Sequence, residues 1–330
     1  MICIAAAVLS LFILFPTNTS TQNGFGIPKI LKFSGGADAA VSLQFDDSMT
    51  TQLANALPLL NARGLRATFF VNTGSYQYKT HQHEWELDVL KAGHELGNHT
   101  AHHSGAKTLE EVTKEIGDCS EQLQKVYGPQ PRLMSFATPG GVPWNFTDAQ
   151  LQPIFQKYLL VRADRRNFFD EKQTDPVSFV QHALDTHSAS NVSMHGTGGE
   201  WLSTSLSNLT RLLDFLVAHR STVWTAPEIE IYKYTQERDA AERPILSHAA
   251  PNGFSLALTC DATKLFTAGM SVAALYDQPL TVEVSVPATW QTFSVVQGLR
   301  THQYTLGTGS IARFDVLPNQ GLVHVMRVGR

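Results

Sequence analysis

The chain has 330 residues, 43% hydrophobic and 16% charged, enough apolar material for a large core and too much for a disordered protein. Its 25 basic and 29 acidic residues give a formal net charge of −4 with no Lys/Arg run, which argues against a nucleic-acid partner, because phosphate backbones call for a basic patch.

In chain order, Ile2 to Phe15 is almost wholly apolar and no charged residue precedes Lys29. A membrane helix needs about 20 apolar residues and a secretory core about 7–15. Residues 1–21 therefore read as a signal peptide, with Thr17-Asn18-Thr19-Ser20 as the cleavage region. The mature chain is then secreted or extracytoplasmic, with no stable membrane span. The missing Lys/Arg at the start leaves a buried strand or an uncleaved anchor as the other reading. Cys3 would leave with the signal. Cys119 and Cys260 are open to one disulfide or to two buried thiols, and their placement in separate predicted domains favours the unpaired reading. Asn145, Asn191 and Asn208 open triplets that permit glycosylation in a eukaryotic secretory host.

From residue 38 to about 235, short β-rich runs alternate with longer amphipathic ones. Strands are expected at Ala40–Phe45, Ala67–Val71, His94–Asn98, Leu133–Ala137, Tyr158–Arg162, Val192–His195 and Val223–Thr225. Helices are expected at Gln52–Ala62, kinked or shortened by Pro58, and at Glu84–Ala92, Leu109–Tyr127, Pro176–Leu184 and Leu206–Ala218. Pro227 opens a last helix. Seven strands, most followed by a helix, predict a parallel barrel or an open doubly wound sheet. Asp46 and Asp47, His99, the Pro139-Gly140-Gly141 loop, Arg162 and His195 all fall at C-terminal strand ends, where β/α barrels build active sites.

Within Gly97-Asn98-His99-Thr100-Ala101-His102-His103, His99 and His103 are four apart, so a helical start there would turn both imidazoles to one ion. The earlier acidic pair Asp46-Asp47 supplies a carboxylate. Two His and one Asp leave a coordination position open for water or substrate, as a catalytic rather than structural metal site does. His102 is out of phase with that face and reads as a rim residue.

After a charged junction at about Thr235–Pro244 the pattern changes to alternation without helices: Phe254-Leu256-Leu258, Val282-Val284-Val286, Phe293-Val295, Phe314-Val316 and Val323-Val325. Residues 245–330 are thus expected to form a small all-β, sandwich-like accessory domain behind a larger one spanning 22–238. A carbohydrate-binding role and a plain packing module are both open for it.

The set Phe45-Asp46-Asp47, Ala67-Thr68-Phe69-Phe70-Val71, Gly93 to Thr100 with His103, Phe136 to Gly141, and Ser193-Met194-His195 resembles the polysaccharide deacetylase family. This is the NodB-homology domain of carbohydrate esterase family 4, and the likeness covers roughly residues 38–235. The resemblance implies a distorted (β/α) barrel, a divalent metal with Zn2+ as the first expectation, and hydrolysis of acetyl groups on glycans such as chitin. Carried over by position, Asp47, His99 and His103 are the metal ligands, Asp46 the catalytic base and His195 the general acid. The Gly140 backbone N–H would serve the oxyanion. The resemblance also implies a substrate surface to which Pro139, Trp144 and Trp201 are the candidate contributors.

The chain departs from that pattern in its third motif. Ala137 stands where the family commonly has the Arg that orients the base, and Gly140 where it has an aromatic. Arg162, at the end of the next strand, is the expected substitute, with a surface pair to Asp164 as the competing reading. Two alternatives stay open: a glycan-binding descendant with impaired catalysis, and an Fe(II) oxygenase triad.

Overall fold

The structure is a computed structural model that describes residues 24–163, 166–170, 172, 175, 177–307 and 309–329. The expected signal, residues 1–21, lies outside the described residues, as does Asp164. Among the described residues no helix is long and apolar enough to cross a membrane.

The strands in chain order are β1 (Lys29–Ile30), β2 (Ala39–Asp46), β3 (Thr68–Val71), β4 (Glu95–Asn98), β5 (Met134–Phe136), β6 (Leu160–Arg162), β7 (Arg166–Phe168), β8 (Ala189–Met194) and β9 (Val223–Thr225). Those from β2 to β9 make one sheet in the order β6-β5-β4-β3-β2-β8-β7, with β9 beside the start of β2. Every pairing in it is parallel. Among the described residues no ladder joins β6 to β7, so the sheet is a distorted (β/α) barrel left open there. β2 is buried along its whole length, as a central parallel strand covered on both faces must be.

Helices clothe the outside. Leu109–Tyr127 starts with a capping box in which Thr108 and Glu111 satisfy each other's backbone N–H groups. Its Val112, Ile116 and Leu123 pack with Val71 and Leu96 in the same core as Leu209, Leu212 and Leu216 of the helix Leu206–Ala218. Pro58, in the segment Leu57–Asn61, comes just after a π-helical turn, Gln52–Ala56, so the helical run continues past it with a local irregularity just upstream.

The C-terminal strands are β10 (Ile245–Ala250), β11 (Gly253–Ala257), β12 (Leu280–Ser285), β13 (Thr292–Gln297), β14 (Arg300–Thr305), β15 (Ile311–Val316) and β16 (Val323–Val328). They form two antiparallel sheets, β1-β12-β15 and β10-β11-β16-β13-β14, closed over Phe254, Val282, Val284, Phe293, Phe314 and Val325. The expected alternation is the inward face of this sandwich, although short helical turns at Ala262–Lys264 and Val272–Leu275 interrupt it.

Three expectations need correction. β1 and Phe25, placed by sequence in the barrel, belong to the sandwich: β1 pairs with β12, and Phe25 packs edge-on to Phe254 and Trp290. The charged stretch read as a junction from Thr235 continues the helix Glu228–Ala240. That helix buries Tyr234 in the sandwich core and donates the Tyr234 hydroxyl to the Leu31 carbonyl. An eighth barrel strand, β7, was missed because it is three residues long and half exposed, with no alternation to read.

Candidate active site

β2 ends in Asp46, and the chain leaves it through Asp47 and Ser48, both in the left-handed region with φ 75° and 53°. Two adjacent non-glycine residues in that region are costly, by about 1–3 kcal/mol each. The turn is held by the Ser48 hydroxyl, which accepts from the Asn72 N–H at 2.8 Å, and by Gln52 Nε2, which donates to the carbonyls of Asp46 and His195. The consequence is a split pair: Asp46 is almost fully buried, whereas Asp47 turns toward the rim.

His99 follows β4 directly. The expected helical start is absent. Residues 99–103 form a loop with Thr100 and His103 at positive φ, braced by Asn98 Oδ1 accepting from the Thr100 N–H and Thr100 Oγ1 accepting from the His103 N–H. This loop still brings the His99 and His103 rings to a centroid distance of 4.9 Å. His102 points elsewhere, with its N–H and Nδ1 both on the Glu115 carboxylate.

Asp47 Oδ1 lies 3.4 Å from His99 Nε2 and 3.5 Å from His103 Nε2, and it is a buried oxygen with no hydrogen-bond partner. One ligand atom from each of the three falls within 4.8 Å of the others. His99 Nδ1 sits 2.9 Å from the Ala137 carbonyl, which fixes that nitrogen as the donor and leaves the Nε2 lone pair facing Asp47. An orphaned carboxylate oxygen between two imidazole nitrogens is a donor set that fits a divalent cation.

Behind these three lies Asp46. Its Oδ1 accepts from Arg166 Nη2 at 2.5 Å, and its Oδ2 is 3.8 Å from His99 Nε2 and 3.9 Å from His195 Nε2. Burial alone would raise its pKa, but the Arg166 guanidinium and then His99 outweigh it and hold the carboxyl below the usual range. Burial likewise opposes Asp47, but the neighbouring imidazoles, His99 first and then His103, hold its carboxyl below the usual range. His195, at the end of β8, is pushed below its ordinary value by burial, against the pull of both carboxylates.

Arg166 is the residue that sequence reading missed. Its Nε donates to Gln44 Oε1 at 2.8 Å, and Gln44 Nε2 donates in turn to Glu228 Oε2 at 3.0 Å. The guanidinium also lies over the rings of Phe70 and Phe168, 5.0 and 5.1 Å from their centroids. The expected substitute, Arg162, is elsewhere: it pairs with the exposed Asp148 at 3.0 Å and lies over Phe155. It sits on β6, at the other end of the strand order from β7, and its guanidinium is engaged by Asp148 and Phe155 and not by Asp46. The usable signal was an Arg followed two residues later by an aromatic, Arg166-Asn167-Phe168, in a run too short to read as a strand.

The remaining candidates divide. Trp201 meets His195 in a T-shaped contact at 5.1 Å, and Phe168 stacks on the same imidazole at 5.5 Å. Trp144 instead packs against Phe136 and Phe146 at the barrel core, so the structure does not bring it to His195. Pro139 is buried and Gly140 exposed on the loop after β5.

Residues 35–152 match the family described as polysaccharide deacetylase. That match includes Asp46, Asp47, His99 and His103 and stops short of Arg166, His195 and Trp201. Over 129 residues the chain is 26% identical to a chitin deacetylase of Pestalotiopsis sp.. The alignment covers 34% of this chain and 42% of that relative, so the chain spans less than half of the relative's length. Among solved structures it is similar to the peptidoglycan deacetylase PdaC from Bacillus subtilis, with 19% identity, a TM-score of 0.47, and coverage of 63% of this chain and 96% of that one. It is also similar to BA3943, a carbohydrate esterase family 4 pseudoenzyme from Bacillus anthracis, with 20% identity, a TM-score of 0.43, and coverage of 58% and 65%.

Proposed function

We propose that this chain is a secreted, metal-dependent carbohydrate deacetylase, a hydrolase of non-peptide carbon–nitrogen bonds that removes N-acetyl groups from chitin-like glycans. The observation that carries the reading is the division of labour between two adjacent carboxylates. Asp47 offers an unpartnered oxygen to two imidazoles, and Asp46 is kept ionised by Arg166 with its second oxygen turned toward the same space. The apolar run from Ile2 to Phe15 supports secretion.

Asp47, His99 and His103 would hold the cation, and two imidazoles with one carboxylate suit Zn2+. A cation bound there supplies Lewis acidity, easing deprotonation of a water and polarising the acetyl carbonyl. Asp46 takes the proton as that water attacks, with its free Oδ2 facing the site while Oδ1 is engaged by Arg166. His195, in ring contact with Phe168 and Trp201, gives a proton to the departing nitrogen. The exposed Gly140 N–H stands ready as a donor to the developing oxyanion.

Acetate release from N-acetylglucosamine oligomers and from O-acetylated xylan, measured with Zn2+ and after chelation, tests this. Metal-dependent release from the first series, abolished by Asp46→Asn, is the expected result. Release from the xylan alone would shift the substrate to O-acetyl esters. Glycan binding without acetate under any metal would replace the enzyme by a binding protein of the same fold.

A further inference from the structure

Arg166 opens a three-residue, half-exposed strand and reaches Asp46 past the intervening β8. A long flexible side chain keeps such a reach only if a second point fixes it. The flanking rings of Phe70 and Phe168 do not supply that point, because a π face receives a cation without setting its position along the strand.

Gln44 does supply it. It stands on β2 two residues before Asp46, so both side chains leave the same face of one buried strand. Arg166 lies along that face, with Nε donating to Gln44 Oε1 at 2.8 Å and Nη2 to Asp46 Oδ1 at 2.5 Å. Two donors on one edge of a planar group are thereby registered against two acceptors of one strand.

The amide serves only with its oxygen toward Arg166, since turned over it would set NH2 against the guanidinium. Both of its ends are tied. Ser193 Oγ, on β8, donates to the same Oε1 at 3.0 Å, and Gln44 Nε2 donates to Glu228 Oε2 at 3.0 Å. Glu228 is anchored in turn: its N–H donates to Thr68 Oγ1, and the Thr68 hydroxyl donates to Glu95. Gln44, Ser193, Thr68 and Glu228 are all buried, so bulk water does not compete for these bonds. Glu228 also leaves Arg166 to Asp46. Burial, and then the Glu95 carboxylate, pushes its pKa up to about 7, and its oxygen is given to the amide while the guanidinium pairs with Asp46.

We infer that Gln44 is a positioning residue for Asp46: tied to Glu228 and Ser193, its amide oxygen registers the Arg166 guanidinium on the carboxylate. The inference rests on the deacetylase reading for what Asp46 does.

The test pairs turnover with a readout on the arginine itself. Gln44→Met removes both ends of the amide at similar volume. Its kcat for acetate release from N-acetylglucosamine oligomers should fall at least about tenfold with KM little changed, because a reacting group is displaced and no substrate contact is lost. Gln44→Glu combined with Glu228→Gln reverses the tie: the new carboxylate accepts from Arg166 and Ser193, and the new amide donates to it. Most of kcat should return. The guanidinium Nη–H resonances of Arg166, assigned by their absence from Arg166→Lys, are read on the chelated chain without substrate. They should be resolved in the unmutated chain and the double variant, where the group is held, and averaged by rotation in Gln44→Met. Gln44→Asn, one methylene short of Arg166, carries the same expectations should Gln44→Met not fold. Unchanged kcat in a folded Gln44→Met or Gln44→Asn chain overturns the inference, and so does lost kcat with the Arg166 resonances still resolved. Resonances that depend on Gln44 in a chain that releases no acetate under any metal would sink the deacetylase reading and leave the registration of Arg166. Acetate release indifferent to Gln44 would do the reverse.

Discussion

Arg166 Nη2 reaches Asp46 Oδ1 at 2.5 Å from β7, a strand separated from β2 by β8, and the carboxylate it meets is almost fully buried. Removing the guanidinium would leave an uncompensated buried charge and free Asp46 to turn. Arg166→Ala should lower kcat by about a hundredfold, the scale set by misplacing a reacting group, and Arg166→Lys should restore only part of it. Arg162→Ala, which breaks an exposed pair with Asp148, should leave turnover near the unmutated value. Equal losses from the two variants would mean that Arg166 acts only through stability.

Zn2+ should raise the melting temperature, because it engages an oxygen of the folded state that has no partner. A ligand at a thousand times its Kd adds about 4 kcal/mol to stability. His99→Ala and His103→Ala should each remove the shift. His102→Ala should retain it, since His102 is bound to Glu115. Scanning calorimetry with and without Zn2+ reads all three variants.

Glu237 lies far from this chemistry, in the helix Glu228–Ala240, with an unpartnered buried oxygen. Burial raises its pKa from 4.5 to about 8, against the help of Lys233. The folded state therefore holds a proton that the unfolded state has already released. This contribution is complete below pH 4.5 and is lost as pH rises from there to about 8, by at most about 1.4 kcal/mol per pH unit. Glu237→Gln should flatten the fall in denaturant stability between pH 5 and pH 8. An unchanged slope would place the proton elsewhere.

Gly196→Ala should cost about 1–3 kcal/mol, because the new methyl meets a backbone oxygen of its own loop and not a flexible side chain. The melting temperature should fall, and catalysis should fall with it, because His195 is the preceding residue. Trp201→Ala, which removes an exposed ring, should cost much less stability.

How much of this was legible beforehand depended on how locally each feature was encoded. The residues proposed to hold the cation could be picked out from spacing and from the resemblance, but the reason they meet could not: the expected helical turn is a loop with Thr100 and His103 left-handed. Long-period signals, such as Val112, Ile116 and Leu123 on one helix, read correctly because burial repeats over several turns. β7 was lost because three half-exposed residues carry no period, and Arg166 was lost with it. The guanidinium was sought on β6 because that strand follows the altered motif in sequence. The sheet order makes β7, across the opening, the strand that delivers it. Trp144 illustrates the same limit, as a tryptophan near a motif in sequence whose ring packs inward on Phe136.

The pairing of β1 with β12 has a bearing on any attempt to shorten or recombine this protein. A segment that precedes the first barrel strand completes the far module, and Tyr234 on the last barrel helix is covered by that module's core. Cutting the chain at residue 244 would orphan Phe25, Ile30 and Tyr234 at once, exposing ring and aliphatic surface that neighbouring molecules would compete to cover. The C-terminal module is thus no detachable passenger: a truncated version should be sticky where the parent is not, and a graft onto another barrel would have to bring residues 25–31 along with it.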